Sequence, residues 1–137
     1  MKLNTRNVTK KAGMTLLELT VVILVLLSLI SILFIGARAW KKGADRAGCI
    51  MNIRNLQQAV RSYANMNAKN PNEAVAGLKG LVVGPGLFVE DEPNCPSDAT
   101  KAYTGYAATV PDVGVLWVAC GNIANTPDHV PSNTDAW

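Results

Sequence analysis

The sequence predicts an α+β fold in which a long N-terminal helix, half of it membrane-spanning, packs against a small antiparallel β-sheet. Three observations favour this architecture: an uncharged apolar run over residues 19–37, an apolar stripe beyond it, and short segments separated by Gly and Pro after residue 68. A helix stripe and a sheet face each need a partner to bury them, so we expect the two to pack together.

The first two predicted segments are a basic leader, residues 1–13, and a transmembrane and assembly helix, residues 14–37. The leader carries four Lys or Arg and no acid, which favours its retention in the cytoplasm. The nineteen uncharged residues that follow Glu18 would span most of the roughly 30 Å hydrocarbon layer as a helix. Glu18 lies at the start of this run, and a charge in such a place is usually retained for a partner. A secretory signal has its small-residue cleavage site after the apolar segment, whereas Ala12-Gly13 precedes it here.

The third predicted segment, residues 38–68, is an amphipathic continuation of the same helix. Apolar residues recur there at steps of three and four, which is the spacing of one helix face. The stripe consists of Cys49, Ile53, Leu56, Val60 and Tyr63. Asn70-Pro71-Asn72 predicts the end of the helix, because the residue before a proline disfavours helical geometry. Gly36, Gly43 and Gly48 predict weak points in the helix interior.

The fourth predicted segment, residues 69–137, is a small β-rich region with a loop tail. Short strands are predicted at Leu87–Val89, Tyr103–Val110 and Gly114–Ala119, with a turn between the last two. The polar tail from Asn122 to Trp137 contains two prolines and is predicted to be mostly loop.

The order and spacing of Gly13, Glu18 and the apolar run resemble the processing motif of the type IV prepilin family. That motif is a hydrophilic leader ending in Gly, a hydrophobic first mature residue, and a Glu at the fifth mature position. The resemblance implies a pilin-like fold, cleavage by a prepilin peptidase between Gly13 and Met14, and methylation of the new amine of Met14. It also implies that Glu18 meets the amino terminus of a neighbouring subunit during assembly.

Two further segments, residues 49–60 and 94–98, resemble small proteins related to the major pseudopilin of type II secretion. The resemblance implies a structural subunit of a type IV-like filament, most consistent with a pseudopilin of a type II secretion system. It implies a bacterial inner-membrane location with an extracytoplasmic C-terminal domain, followed by entry into a filament. The implied partners are the prepilin peptidase, further pilin or pseudopilin copies, the inner-membrane assembly platform and the lipid bilayer. The alternatives are a type IV pilus subunit for adhesion, motility or DNA uptake, and a signal-anchored extracytoplasmic binding module.

Composition argues against nucleic-acid binding and catalysis. Beyond Gly48 the chain has five Lys or Arg against eight Asp or Glu, so it does not form a basic nucleic-acid platform. His129 is the single histidine, and its place in the polar tail predicts a surface residue. Since no acid or nucleophile is paired with it in a recognisable spacing, we predict that the chain is not an enzyme.

The three cysteines, Cys49, Cys95 and Cys120, predict one disulfide if the domain lies in an oxidising compartment. Cys95–Cys120 is the favoured pair, because it would close a loop around both C-terminal strands and stabilise the domain by about 3 kcal/mol. Cys49–Cys95 is the alternative, which would tie the helix to the Cys-Pro loop. None of the three has the CxxC or Cys/His spacing of a zinc site, so no metal site is predicted.

The consecutive acids Glu90-Asp91-Glu92 raise the question of calcium, which loops of some type II pseudopilins bind. We predict no cofactor and interpret the three acids as a solvated patch, because no loop of spaced oxygen ligands is visible. Calcium stays the alternative, with further ligands that would come from Asp112, Asp128 and Asp135.

Overall fold

The computed structural model describes residues 13–137, so the predicted leader lies outside the described residues except for Gly13. The elements in chain order are helix α1, Leu16–Met66; helix α2, Leu78–Val82; strand β1, Asn94–Cys95; and strand β2, Asp98–Ala102. The predicted long helix is therefore confirmed, and it ends before the Asn-Pro-Asn stop. It remains helical through Gly36, Gly43 and Gly48.

The chain divides into two compact units, one ending at Ala39 and the other formed by Trp40–Trp137. In the first unit, the large apolar side chains of α1 from Leu16 to Ile35 are between 47% and 82% exposed. A helix that is apolar on every side and buries none of these side chains has no packing partner among residues 13–39. The four predicted segment boundaries stay predictions.

The core of the second unit forms on the C-terminal half of α1. The predicted stripe is confirmed: four of its five members are buried, and the ring of Tyr63 is partly buried beside them. The core residues that come from beyond α1 are Val75, Leu78, Val82, Cys95, Tyr103, Val110, Trp117, Val118 and Cys120. Burying several such side chains at about 1.5–3 kcal/mol each is the main source of stability for this unit.

The prediction of a small antiparallel sheet is confirmed, but the strands that form it, β1 and β2, are not the predicted ones. β1 and β2 pair antiparallel, with Asn94 opposite Ala102 and an irregular register next to it. The strands predicted at Leu87–Val89, Tyr103–Val110 and Gly114–Ala119 were wrong. These segments have only isolated pairings: Val83 with Val89, Ala74 with Thr109, and Thr104 with Ala119.

The two predicted C-terminal strands fail to form a ladder because their backbone groups have other partners. Gln57 is 1% exposed; its Nε2 donates to Val115 O at 2.9 Å, and its Oε1 accepts from Trp117 N at 2.9 Å. The Trp117 indole donates to the carbonyl of Ala107 at 2.9 Å. Val110 N donates to Glu73 O at 3.0 Å. A backbone group bonded elsewhere cannot extend a ladder, so residues 103–119 are irregular.

The tail forms turns, as predicted, and packs back onto the second unit. Asn122 accepts a hydrogen bond from Thr126 N at 3.0 Å, and His129 N donates to Thr126 O at 3.0 Å. Arg61 of α1 donates to the carbonyl of Trp137 and to that of Asp112. Backbone groups of this polar tail therefore take part in the fold.

Candidate functional site

The predicted processing site lies before the first helix. Gly13 and Met14 are non-helical and exposed, and α1 begins at Leu16. No heavy atom would come within 4 Å of a Cβ built on Gly13. The peptide bond between Gly13 and Met14 is therefore sterically open in the described chain.

Glu18 and Thr15 form a capping box at the start of α1. The Glu18 carboxylate accepts from Thr15 N at 2.8 Å and from Thr15 Oγ1 at 3.0 Å, and Glu18 N donates back to Thr15 Oγ1 at 3.2 Å. Such reciprocal bonds satisfy donors that the first turn of a helix leaves unpaired. Sequence reasoning missed Thr15, although Thr followed three residues later by Glu is the signature of this motif.

The apolar half of α1 satisfies its hydroxyl groups internally. Thr20 Oγ1 donates to Leu17 O at 2.9 Å, Ser28 Oγ to Val25 O at 2.8 Å, and Ser31 Oγ to Leu27 O at 2.8 Å. In hydrocarbon every polar group needs a partner of this kind. Among residues 13–137, α1 is one helix that is long and apolar enough to cross a membrane.

The three cysteines lie close together as free, buried thiols. Cys49 comes from α1, Cys95 from β1, and Cys120 from the segment after the Thr104–Ala119 pairing. The sulfurs of Cys95 and Cys120 are 3.5 Å apart, which is a non-bonded distance. Neither predicted disulfide is formed in this structure, and the pairing stays a prediction.

Glycines next to two of the cysteines permit this convergence. A Cβ on Gly48 would lie 3.1 Å from Cγ of Pro96, so the Cys-Pro loop packs directly over α1. A Cβ on Gly121 would collide with the backbone carbonyl of Ala102 at the end of β2. Close backbone approach of this kind requires glycine.

His129 is not the surface residue that the sequence predicts. It is 3% exposed, and its Nδ1 lies 3.6 Å from the sulfur of Cys95 and 3.9 Å from that of Cys120. The polar composition of the tail was misleading, because the turns between Asn122 and His129 fold this imidazole inward. No local sequence signal predicts the burial of His129, because the residues around it have the composition of an ordinary exposed turn.

The environments of the thiols affect their acidity differently. Burial raises the pKa of Cys49 to about 12. Burial also acts to raise the pKa of Cys95, but hydrogen bonds to its sulfur, first from Ser97 and then from Cys120 and His129, lower it to about 7. A thiol in such a polar pocket forms the thiolate more readily than an ordinary cysteine.

The acids considered for calcium do not gather in the described residues. Glu92 pairs with Lys79 at 2.7 Å and accepts from Tyr106 Oη at 2.8 Å. Asp112 accepts from Asn72 Nδ2 at 3.2 Å. Among residues 13–137, the one group of Cys, His, Asp or Glu side chains close enough to share a metal contains no carboxylate.

Comparison with known proteins gives one informative similarity. The chain is 37% identical over 90 residues to type II secretion system core protein G of Pectobacterium carotovorum subsp. carotovorum. The match covers 65% of this chain and 56% of that protein, so it spans little more than half the length of the relative. No protein-family model matches the chain. No solved structure matches it.

The relative is named as a core protein of a secretion system, in agreement with the prediction of a structural rather than an enzymatic role. The chain shares with the expected fold a long N-terminal apolar helix and a small antiparallel sheet. The similarity to this secretion protein agrees with the resemblance to type II secretion pseudopilins that the Gly13–Glu18 motif and residues 49–60 predict.

Proposed function

We propose that the chain is a structural subunit of a type II secretion pseudopilus, assembled into a helical filament through its N-terminal helix. One observation carries the proposal: within residues 13–137, α1 exposes an apolar surface from Leu16 to Ile35, with a single carboxylate at its start. A bilayer can cover that surface before assembly, and the helices of neighbouring subunits can cover it afterwards. Contacts that do not close into a ring give an open helical polymer.

Processing would convert the anchored precursor into the assembly-competent subunit. A prepilin peptidase would cut the exposed bond after Gly13, and the new amine of Met14 would then be methylated. The precursor would be a single-pass inner-membrane protein with residues 40–137 outside the cytoplasm. The other partners would be the inner-membrane assembly platform and further copies of this chain and its homologues.

Glu18 would set the register between subunits through its charge. Inside an apolar bundle an unpaired carboxylate is strongly penalised, and the ammonium group of a neighbouring amino terminus would relieve that penalty. Within the described chain the Glu18 carboxylate accepts hydrogen bonds only from Thr15 and has no basic partner among its contacts. Its capping role and its proposed intersubunit role are therefore separable by substitution.

Three variants test this separation. Glu18→Gln removes the charge but keeps a side chain that can form a capping box, whereas Thr15→Ala removes the cap and keeps the charge. Glu18→Ala removes both. With a prepilin peptidase present, we expect all three to be processed, Glu18→Gln and Glu18→Ala to lose most of the filament yield, and Thr15→Ala to retain it. Normal filament yield from Glu18→Gln would refute the charge-based register.

The leader itself distinguishes the alternatives. Gly13→Val should leave an uncleaved precursor, visible by intact mass as retention of the thirteen leader residues. If the unsubstituted protein also keeps residues 1–13 in its native membrane, it is a signal-anchored module and not a filament subunit. If it is cleaved and forms surface filaments that a retraction ATPase withdraws, it serves a type IV pilus rather than a secretion pseudopilus.

A further inference from the structure

Four metal-binding side chains from distant parts of the sequence converge in the second unit. The sulfurs of the three cysteines and a ring nitrogen of the histidine all lie within 4.8 Å of one another. We name this set the thiol–imidazole cluster: Cys49, Cys95, Cys120 and His129. Each of its residues is at most 3% exposed. Three separate backbone segments and a tail turn therefore deliver four donor atoms to one buried point.

Three of the six separations between these donors match the edges of a tetrahedral zinc site, and all six are within 4.8 Å. With zinc–sulfur bonds of about 2.3 Å and zinc–nitrogen bonds of about 2.0 Å, tetrahedral geometry separates two sulfurs by about 3.8 Å and sulfur from nitrogen by about 3.5 Å. The Cys95 and Cys120 sulfurs are 3.5 Å apart. His129 Nδ1 lies 3.6 Å and 3.9 Å from these two atoms. An ion bonded to these three atoms needs only small movements of their side chains, and the Cys49 sulfur is within 4.8 Å of each of them.

The surroundings of the cluster provide hydrogen bonds for bound thiolates. Tyr103 Oη lies 3.3 Å from the Cys49 sulfur, and Ser97 Oγ lies 3.1 Å from the Cys95 sulfur. Hydroxyl groups placed in this way orient metal ligands and stabilise the charge on them. An open cavity lined by Ser97, Asp128 and His129 borders the cluster on its His129 side.

We propose that the thiol–imidazole cluster is a structural zinc site of the Cys3His class. The three thiols lose their protons to solvent as the ion binds, and the neutral imidazole coordinates through Nδ1. With four protein ligands the site is closed, so its role is to hold α1, β1 and the tail together rather than to catalyse a reaction. Zinc binding at this cluster is a property separate from the proposed role in a filament and does not depend on that role.

The arrangement fits zinc better than a disulfide. A bond between the Cys95 and Cys120 sulfurs would leave the Cys49 sulfur with the Tyr103 hydroxyl alone, and would consume both thiols that lie next to His129 Nδ1. One ion instead engages all four side chains. It also explains why the only histidine of the chain is buried against two sulfurs rather than exposed in its polar tail. Buried polar groups are normally satisfied in this way.

The unsubstituted protein gives the first test. The full-length chain is extracted from membranes in detergent without chelator or reductant, and its metal content is measured by mass spectrometry. We expect about one zinc per chain and, after exchange with cobalt(II), the absorption of a tetrahedral thiolate complex. Alkylation in denaturant with chelator should then modify all three cysteines. A disulfide in the native protein, or three free thiols that take up neither zinc nor cobalt, would overturn the proposal.

Substitutions at His129 provide a matched comparison. His129→Ala removes one ligand and should weaken zinc binding at least tenfold in competition with a chromogenic chelator. His129→Cys should restore about one zinc per chain, because zinc accepts four cysteines as readily as three with a histidine. Ser132→Ala changes an exposed side chain three residues beyond His129 that is not part of the cluster, and should keep the stoichiometry and the affinity. Equal zinc affinity in His129→Ala and the unsubstituted protein would overturn the assignment of His129, whatever the effect of either variant on folding.

Discussion

Gln57 is a buried polar side chain on the apolar face of α1, and its replacement by Ala should strongly destabilise the second unit. The side chain bridges the helix to the segment beyond Gly114 by donating to Val115 O and accepting from Trp117 N. These partners are 58 and 60 residues away in the chain, so the bridge is a purely tertiary contact. Among residues 13–137, the side-chain acceptor for Trp117 N is Oε1 of Gln57.

The size of the effect follows from what is left unpaired. Trp117 is fully buried, so its N–H would lose its partner without access to water, at a cost of about 1–3 kcal/mol. Val115 is 54% exposed, so its carbonyl can be rehydrated and adds less. With the small cavity that remains, we expect the free energy of unfolding to fall by about 3 kcal/mol. For a unit of this size that corresponds to a Tm lower by roughly 12 °C or more.

The assay is thermal unfolding of the full chain in detergent, followed by tryptophan fluorescence and near-UV circular dichroism. Gln58→Ala is the matched control, because Gln58 is the same residue type on the exposed face one position away. The free energy of unfolding of this control should change by no more than about 0.5 kcal/mol, so its Tm should stay close to that of the unsubstituted protein. If Gln57→Ala and Gln58→Ala have the same Tm, the bridge contributes nothing, and the account of why residues 103–119 are irregular is wrong.

Two further predictions concern the periphery of the second unit. Burial opposes ionisation of Glu92, but hydrogen bonds from Lys79 and Tyr106 hold its pKa below the ordinary value. A lowered pKa in the folded state gives stability that is lost as the pH falls through that pKa, so Glu92→Gln should flatten the acid limb of a curve of Tm against pH. An unchanged acid limb would contradict this. Gly121→Ala would force a Cβ into the backbone carbonyl of Ala102 and should lower Tm by several degrees. Gly80 lies in an exposed turn of α2, and a Cβ there would have no neighbour within 4 Å, so Gly80→Ala should raise Tm slightly. Equal Tm shifts in the two variants would contradict the close approach at Gly121.

The predictable part of this protein is the part governed by local periodicity. Both the continuous apolar run after Glu18 and the apolar stripe from Cys49 to Tyr63 are patterns of neighbouring residues along α1. The structure confirms the helix and the buried stripe. The strand predictions failed for the opposite reason. Alternating apolar residues predict a strand only if their backbone groups pair with a neighbouring strand, and at Trp117 the partner is the Gln57 side chain. Sequence patterns do not report that competition.

The candidate sites divide along the same line. Gly13 and Glu18 are recognisable because their spacing from the apolar run is itself the motif, and Thr15 would have been recognised by its distance from Glu18. The thiol–imidazole cluster has no such signature. Its members are 46, 25 and 9 positions apart along the chain, and their sequence spacing fits no zinc motif.

The sequence by itself determined that residues 19–37 are an apolar helical segment with a single carboxylate, Glu18, at its start, because both properties are local and do not depend on the rest of the fold. It also determined which face of the second half of α1 is buried, because 3.6-residue periodicity requires no tertiary information. Only the tertiary structure decided what that face packs against. It brought Gln57 to Trp117 and His129 to the cysteines, since contacts between distant segments depend on how loops close, and loop closure leaves no periodic trace in the sequence.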